Sequence, residues 1–231
     1  MKLAIMQPYL FPYIGYWQLL NAADAFVVYD DVTYIKGGWI NRNNILMGGQ
    51  RRLFTIKLDG ASSYKLIKDI AILDTFSDFV KTLRQNYSKA PFFGDVMNLV
   101  EMVIAFDKSN LADFIANSIS IISDYLGIGT KLLMSSDIEK DNSLKGQAKV
   151  IEICRLLGAT EYINSIGGTE LYDASVFAEN GIELKFIKSD FVPYKQFKNE
   201  FVPGLSIIDV MMFNTRAAIQ EMLCNYEIIR A

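Results

Sequence analysis

The sequence contains no histidine. That removes the side chain most often used as a general base near neutral pH, and the commonest metal ligand. Any chemistry must run on carboxylates, amides, tyrosines, lysines and arginines. Cysteine is scarce as well: Cys154 and Cys224 are the two in 231 residues. Both fall in helical patterns among apolar neighbours and read as core thiols, and two thiols without histidine do not make a zinc site. A reducing cytoplasm fits that usage. Long hydrophobic runs are missing too. Stretches such as Leu99–Phe106 are broken by charge and fall short of the roughly 18 apolar residues of a spanning helix. Met1–Met6 opens on a strand, without the apolar region and cleavage site of a signal peptide, so a cytoplasmic protein without a membrane span is expected. Positive charge is not in excess either. A formal charge of −3 and a pI near 5.1 argue against a nucleic-acid binder that relies on a broad basic face.

What is present is apolar and aromatic. Hydrophobic residues make up 51% and aromatics 13%, ample for a core that needs no disulfide or metal. Leu3–Met6 is a short continuous apolar run, as in a buried strand. Pro8 and Pro12 force an extended turn after it. From Tyr13 to Ala23, Ile14, Trp17, Leu20 and Ala23 share a helical face, and Phe26–Tyr29 reads as a second buried strand. Strand, loop, helix and strand in about 30 residues make a βαβ unit, whose parallel strands put their carboxyl ends on one edge. Further strands are expected at Arg52–Leu58, at Asp69–Leu73 on an edge, and at Lys131–Ser136, Glu161–Asn164 and Glu183–Ile187. Helices are expected at Phe76–Tyr87, Phe92–Phe106, Asn110–Leu126, Ser143–Leu157 and Tyr172–Asn180, and through the tail from Ile207 to Ile229. The expected class is α/β: a mostly parallel sheet flanked by helices. No repeat, low-complexity segment or linker divides residues 1–231, so one domain is expected, with a mainly helical insertion at about 75–127.

Polar residues crowd where ligands bind in such sheets. Gln7 directly follows a buried strand, and Tyr9 and Tyr13 follow Gln7; the aromatics also read as packing that caps the sheet. The second loop runs from Asp30 to Asn44. Adjacent carboxylates at a strand end are costly to bury unless paired or solvated, and Lys36 and Arg42 are the expected partners of Asp30 and Asp31. Trp39 offers a flat face for a ring, and Asn41, Arg42 and Asn43 offer donors for phosphate or carboxylate. A charge-satisfied surface turn is the plainer reading. Gly167 and Gly168, after another strand, let backbone amides approach a phosphate, with Tyr172 following; a plain turn explains them equally. Further on, Tyr194-Lys195-Gln196 precedes Ser206 and Asp209, which resemble a capping box on the last helix. No Walker loop or dinucleotide fingerprint is present.

Together these residues resemble the WbqC-like protein family. The resemblance rests on Gln7-Pro8-Tyr9 through Gly15-Tyr16, Tyr29-Asp30-Asp31-Val32, Lys36 and Trp39-Ile40-Asn41-Arg42-Asn43. It extends to Tyr162, Gly167, Tyr172, Tyr194-Lys195-Gln196 and Leu205-Ser206-Ile207-Ile208-Asp209. It implies a role in bacterial surface-polysaccharide (O-antigen, lipopolysaccharide) biosynthesis, by transfer of an amino acid or acyl group, glycine among the candidates, to a nucleotide-linked amino sugar. A weaker architectural resemblance is to the nucleotidylyltransferase superfamily. Its histidine signature at the first helix is replaced here by Phe11-Pro12-Tyr13-Ile14-Gly15-Tyr16.

The expected enzyme is thus a transferase or ligase. Asp30, Asp31 and Lys36 are the candidate catalytic residues. Gln7, Tyr9, Tyr13, Trp39, Asn41, Arg42, Asn43, Gly167, Gly168, Tyr172 and Gln196 are the candidate substrate contacts. ATP or another nucleotide with magnesium is the candidate cofactor, with Asp30 and Asp31 able to hold magnesium through water, and no protein-bound metal centre is expected. The partner is a small molecule such as a nucleotide sugar, not nucleic acid. The alternative is a non-catalytic nucleotide-sugar-binding module in a polysaccharide assembly complex.

Overall fold

The computed structural model describes residues 1–198 and 200–231. The opening βαβ unit forms as its residues require. Leu3-Ala4-Ile5 is buried on both faces in strand β1 (Lys2–Met6). The prolines delay the helix until α1 (Ile14–Ala22), and β2 (Ala25–Val28) returns parallel to β1, with Leu3 opposite Ala25 and Met6 opposite Val28. Successive strand side chains point to opposite faces. Ala4, Phe26 and Val28 therefore enter one apolar core, and Leu3, Ile5, Ala25 and Val27 enter another.

The main sheet adds β7 (Lys131–Met134), β8 (Glu161–Ser165), β9 (Glu183–Ser189) and β10 (Tyr226–Arg230), in the order β10-β9-β8-β1-β2-β7. Every pair is parallel except β9 with β10. The first core packs α1 and the helices α2 (Ser77–Tyr87), α3 (Phe93–Ile104) and α4 (Leu111–Leu126) on one face, with α7 (Ile207–Phe213) and α8 (Arg216–Leu223). The second packs α5 (Gly146–Leu156) and α6 (Ala174–Glu179) on the other. Helix α4 begins and ends on its expected signals: Asn110 accepts from the amides of Ala112 (2.8 Å) and Asp113 (3.2 Å), and Gly127 closes it at φ 76°.

Three expectations are corrected. The segment expected as a sheet strand at Arg52–Leu58 lies outside the main sheet. Gly48 and Gly49, at φ 59° and 77°, make a two-residue turn that folds β4 (Gln50–Thr55) back onto β3 (Arg42–Met47). The expected edge strand at Asp69–Leu73 reduces to β6 (Ala71–Ile72), which pairs with β5 (Leu58–Asp59) apart from the main sheet. The tail is not helical throughout. After Cys224 the chain turns, and Tyr226–Arg230 joins the sheet as β10, its isoleucines extended beside β9.

The sheet order fixes where a ligand site falls. From β1 the chain moves outward to β2, whereas β8, on the other side of β1, leads outward to β9. The connections leaving β1 and β8 therefore diverge, and a crevice opens between their carboxyl ends.

Candidate functional site

A cleft of about 570 Å³ occupies that crevice. Gln7, Tyr9 and Tyr13 line it from the loop after β1, Asn164 and Ser165 from the end of β8, Gly167, Gly168 and Tyr172 from the turn after it, and Tyr29, Ile35 and Trp39 from the end of β2 and beyond. Three segments distant in sequence thus share one wall. Among the described residues that line it there is no Asp, Glu, Lys or Arg.

The first loop is tightly held. The amide of Leu10 donates to the Ile40 carbonyl (3.0 Å). The Phe11 carbonyl accepts from Asn43 Nδ2 (2.8 Å) and from Ser206 Oγ (2.7 Å), and the Pro12 carbonyl accepts from the Ile207 amide (2.9 Å). Phe11 itself sits at φ 45°, a left-handed conformation uncommon for a bulky residue, and these anchors hold it there. The loop consequently presents Tyr9 and Tyr13 at fixed positions. Burial raises the pKa of both hydroxyls, and the neighbouring Tyr13 adds to the shift at Tyr9. They stay protonated at neutral pH, so each hydroxyl can donate a hydrogen bond and neither is suited to serve as a base. Tyr16, behind Tyr9 at 5.6 Å between ring centroids, donates to the Gln7 carbonyl (3.1 Å), leaving the Gln7 side chain toward the cleft without a hydrogen-bond partner among the described residues.

Two glycines sit where a methyl would collide with cleft side chains. A Cβ on Gly15 would lie 2.4 Å from the Tyr13 ring, and one on Gly168 would lie 2.9 Å from Asn164 Nδ2. Gly168 thereby lets the turn after β8 close over Asn164, whose Oδ1 accepts from the Ser165 amide (2.7 Å). Asn164 and Ser165 were not among the residues expected to bind. Their signal was the one that marked Gln7: a polar residue ending a buried strand.

The carboxylates expected to act lie elsewhere. Asp31 is buried and paired with Lys140 (2.8 Å) and Lys149 (3.1 Å), not with Lys36 or Arg42 as expected. Burial works to raise its pKa, but hydrogen bonds from Lys140, Ser135 and Lys149 outweigh it and hold the carboxyl below its ordinary value. Lys149 also donates to the Asp31 carbonyl (3.0 Å) and lies 5.3 Å above the ring of Tyr29. Asp30 accepts from the Ser136 amide (2.9 Å). The reason is positional: β2 neighbours β7, so residues ending β2 meet the chain that follows β7. Engaged in this way, the two carboxylates do not fit a magnesium ion, and no group of three or more metal-ligating side chains occurs among the described residues.

Lys36 is exposed and does not line the cleft. Arg42 is half-buried; its Nε donates to the Gly38 carbonyl (2.8 Å) and its guanidinium lies 5.8 Å from the Trp39 ring, so it props the loop that carries Trp39. Asn41 is consumed by Tyr34 Oη (2.8 Å) and the Ile56 carbonyl (2.8 Å). Gln196 is fully buried away from the cleft. Its Nε2 donates to Asp209 (2.7 Å), which also accepts from Tyr87 (2.8 Å) and Tyr194 (2.6 Å). Asp209 therefore joins α7 to α2 and the 194–196 segment and takes no part in a capping box; Ser206 Oγ does accept from the Ile208 amide (3.3 Å).

The match to a family model covers residues 7–221 and so takes in all of the cleft lining except Ile5 and Met6. The chain belongs to the WbqC-like protein family. It is also 30% identical over 229 residues to the uncharacterised protein Rv1507c of Mycobacterium tuberculosis, covering 96% of this chain and 97% of that protein. No solved structure matches the chain. Among the described residues of this family member, no helix is long and apolar enough to cross a membrane.

Proposed function

We propose that the cleft binds a nucleotide-linked amino sugar, and that the protein transfers an amino acid or acyl group such as glycine to it in bacterial surface-polysaccharide biosynthesis. The observation that carries this reading is the site's position and lining: a cleft of about 570 Å³ at the divergence of β1 and β8, walled by aromatic rings and amides. Trp39 and Tyr9 offer faces for a base or sugar ring. Gln7 and Asn164 offer hydrogen bonds to ring hydroxyls, and Gly167-Gly168 lets backbone amides approach a diphosphate. Protonated Tyr9 and Tyr13 are suited to donate to a carbonyl oxygen as it gains negative charge.

A second reading, a binding module without turnover, is favoured by the absence of acidic and basic side chains among the described residues of the lining. Both readings share the ligand, and one experiment separates them. Trp39 is exposed at the cleft while Trp17 is fully buried, so fluorescence quenching reports on Trp39 when nucleoside-diphosphate amino sugars are titrated in. Trp39→Ala, read by calorimetry, and Asn164→Ala are each expected to weaken binding; loss of a ring stack costs about 1–3 kcal/mol, or roughly 5- to 150-fold. Mass spectrometry after addition of glycine and ATP, or of an acyl thioester, then shows product for a transferase and none for a carrier. Wild-type affinity in both variants would remove the cleft from consideration.

A further inference from the structure

A second, smaller lobe adjoins the cleft. It measures about 230 Å³ and is lined by Tyr9, Tyr13, Trp39, Asn43, Asn44 and Phe191, with Gly204 at its margin. Tyr9, Tyr13 and Trp39 line both spaces, so they form the partition between them. The two sides differ in size and chemistry. The main cleft falls within the range of roughly 300–1,000 Å³ for sites that take a whole ligand, and the lobe falls below it. The main cleft has the glycine turn and Asn164; the lobe has aromatic faces and two asparagines.

The asparagines are not equivalent. Asn43 spends its Nδ2 on the Phe11 carbonyl and its Oδ1 on the Asn44 amide (2.8 Å each). The Asn44 side chain has no hydrogen-bond partner among the described residues, although the Asn44 carbonyl is fixed by the Ser206 amide (2.8 Å). Strand β3 thus holds one free amide at a set place in an otherwise aromatic lobe. Trp39 and Phe191 remain 46% and 44% exposed, which leaves the lobe an apolar mouth to solvent.

We infer that this lobe is a second subsite that holds a short, uncharged acyl group. Its carbonyl or amide end pairs with Asn44 and the tyrosine partition, and its apolar body lies against Trp39 and Phe191. No charged side chain is among the described lining residues, and the two guanidiniums at its margin are already engaged by the loops they hold, Arg42 with the Gly38 carbonyl and Arg51, beside Gly204, with the Pro203 carbonyl. An ionised group would therefore enter without a dedicated partner and at a cost. The inference rests on the proposed function and narrows it: a lobe without a charged lining favours an acyl group over glycine, whose ammonium would enter unpaired, and it places that reactant beside the first with the Tyr9 and Tyr13 hydroxyls between them.

The test uses hexanamide and benzamide as probes in ligand-observed NMR, with the full chain and three variants. Asn44→Phe fills the lobe and is expected to abolish the probe signal. Asn44→Ala, which keeps the space, is expected to weaken it several-fold and controls for folding. Asn164→Ala is expected to leave the signal unchanged. Hexanoate is expected to bind at least ten-fold more weakly than hexanamide. A probe signal that survives Asn44→Phe in a folded protein overturns the inference, as does equal binding of hexanoate. If nucleotide sugars fail to bind while hexanamide binds and Asn44→Phe abolishes it, the proposed function falls and the subsite stands.

Discussion

Replacing Asp31 by asparagine separates a structural carboxylate from a catalytic one. In the protein one carboxylate faces two lysines, and the side chains of all three are almost fully enclosed. Removing one partner of a buried pair leaves charge without compensation and costs about 3–5 kcal/mol. For a chain of this size each kcal/mol lowers the melting temperature by about 2–4 °C. Asp31→Asn should therefore melt roughly 6–20 °C below wild type, while the folded fraction binds nucleotide sugars with unchanged affinity. The sign with pH follows from the lowered pKa of Asp31. The folded state binds that proton less readily than the unfolded chain, whose carboxyl has the ordinary value of 3.8. The stabilisation is complete above that value and is lost as pH falls through the lower folded one. Wild type should thus show a steeper loss of stability below about pH 4 than Asp31→Asn does. A companion variant, Asp31→Leu with Lys140→Met and Lys149→Met, removes all three charges and should recover much of the loss, because a buried ion cluster often exchanges for apolar residues at little cost. Calorimetric melting and urea titration across pH 3–7 measure each quantity. An Asp31→Asn protein as stable as wild type, yet unable to turn over a substrate, would refute the reasoning and return Asp31 to the reaction.

Two other substitutions test how the frame serves the site. Gly15→Ala places a methyl 2.4 Å from the Tyr13 ring and 2.6 Å from Ser189 Oγ. It should displace Tyr13 and weaken nucleotide-sugar binding several-fold, with an overpacking cost of about 1–3 kcal/mol, both read by titration and melting. Asp209 is the opposite of Asp31: burial raises its pKa, against partial relief from the hydrogen bonds of Tyr194, Tyr87 and Gln196. Its folded-state value lies above the unfolded one, so its ionisation costs stability as pH rises through the folded value. Asp209→Asn should therefore gain stability relative to wild type between pH 4 and 8, and a difference that stays constant over that range would show that Asp209 does not titrate there.

The opening βαβ unit was legible because local signals agree. Leu3–Met6 and Phe26–Tyr29 are short apolar runs, and two prolines mark the loop between them and the helix. The hairpin is hard to see in the sequence although its turn is in plain sight. Gly48-Gly49 is a two-residue signal, but the polar run Arg42-Asn43-Asn44 before it looks like loop, and a strand with so many amides forms only because its partner and α7 cover it. The tail strand was missed because Tyr226–Arg230 fits either a helical or an extended pattern, and the empty edge of β9 decides between them. The partners of Asp31 were out of reach for a different reason. Lys140 and Lys149 lie over a hundred residues away, and a nearby Lys36 or Arg42 is the default choice when only local order is visible.

The same contrast explains which polar residues reached the cleft. Gln7, Asp30 and Asn164 all end or follow buried parallel strands, and sequence alone ranks the charged one highest as an active group. A carboxylate at such a place is expensive to leave bare in a closed sheet edge. The pair at the end of β2 therefore recruits lysines and backbone amides from the chain after β7 and becomes a fixed part of the frame. A side-chain amide has less to lose by facing a partly open space. Gln7, half-buried and without a side-chain partner among the described residues, consequently remains at the divergence of β1 and β8, and Asn164, buried beneath Gly168 with its Oδ1 on the Ser165 amide, lines the same cleft without a charge that must be paired. In this mostly parallel sheet the amides beside the topological switch line the open cleft, and the acidic pair one strand away holds the sheet edge together.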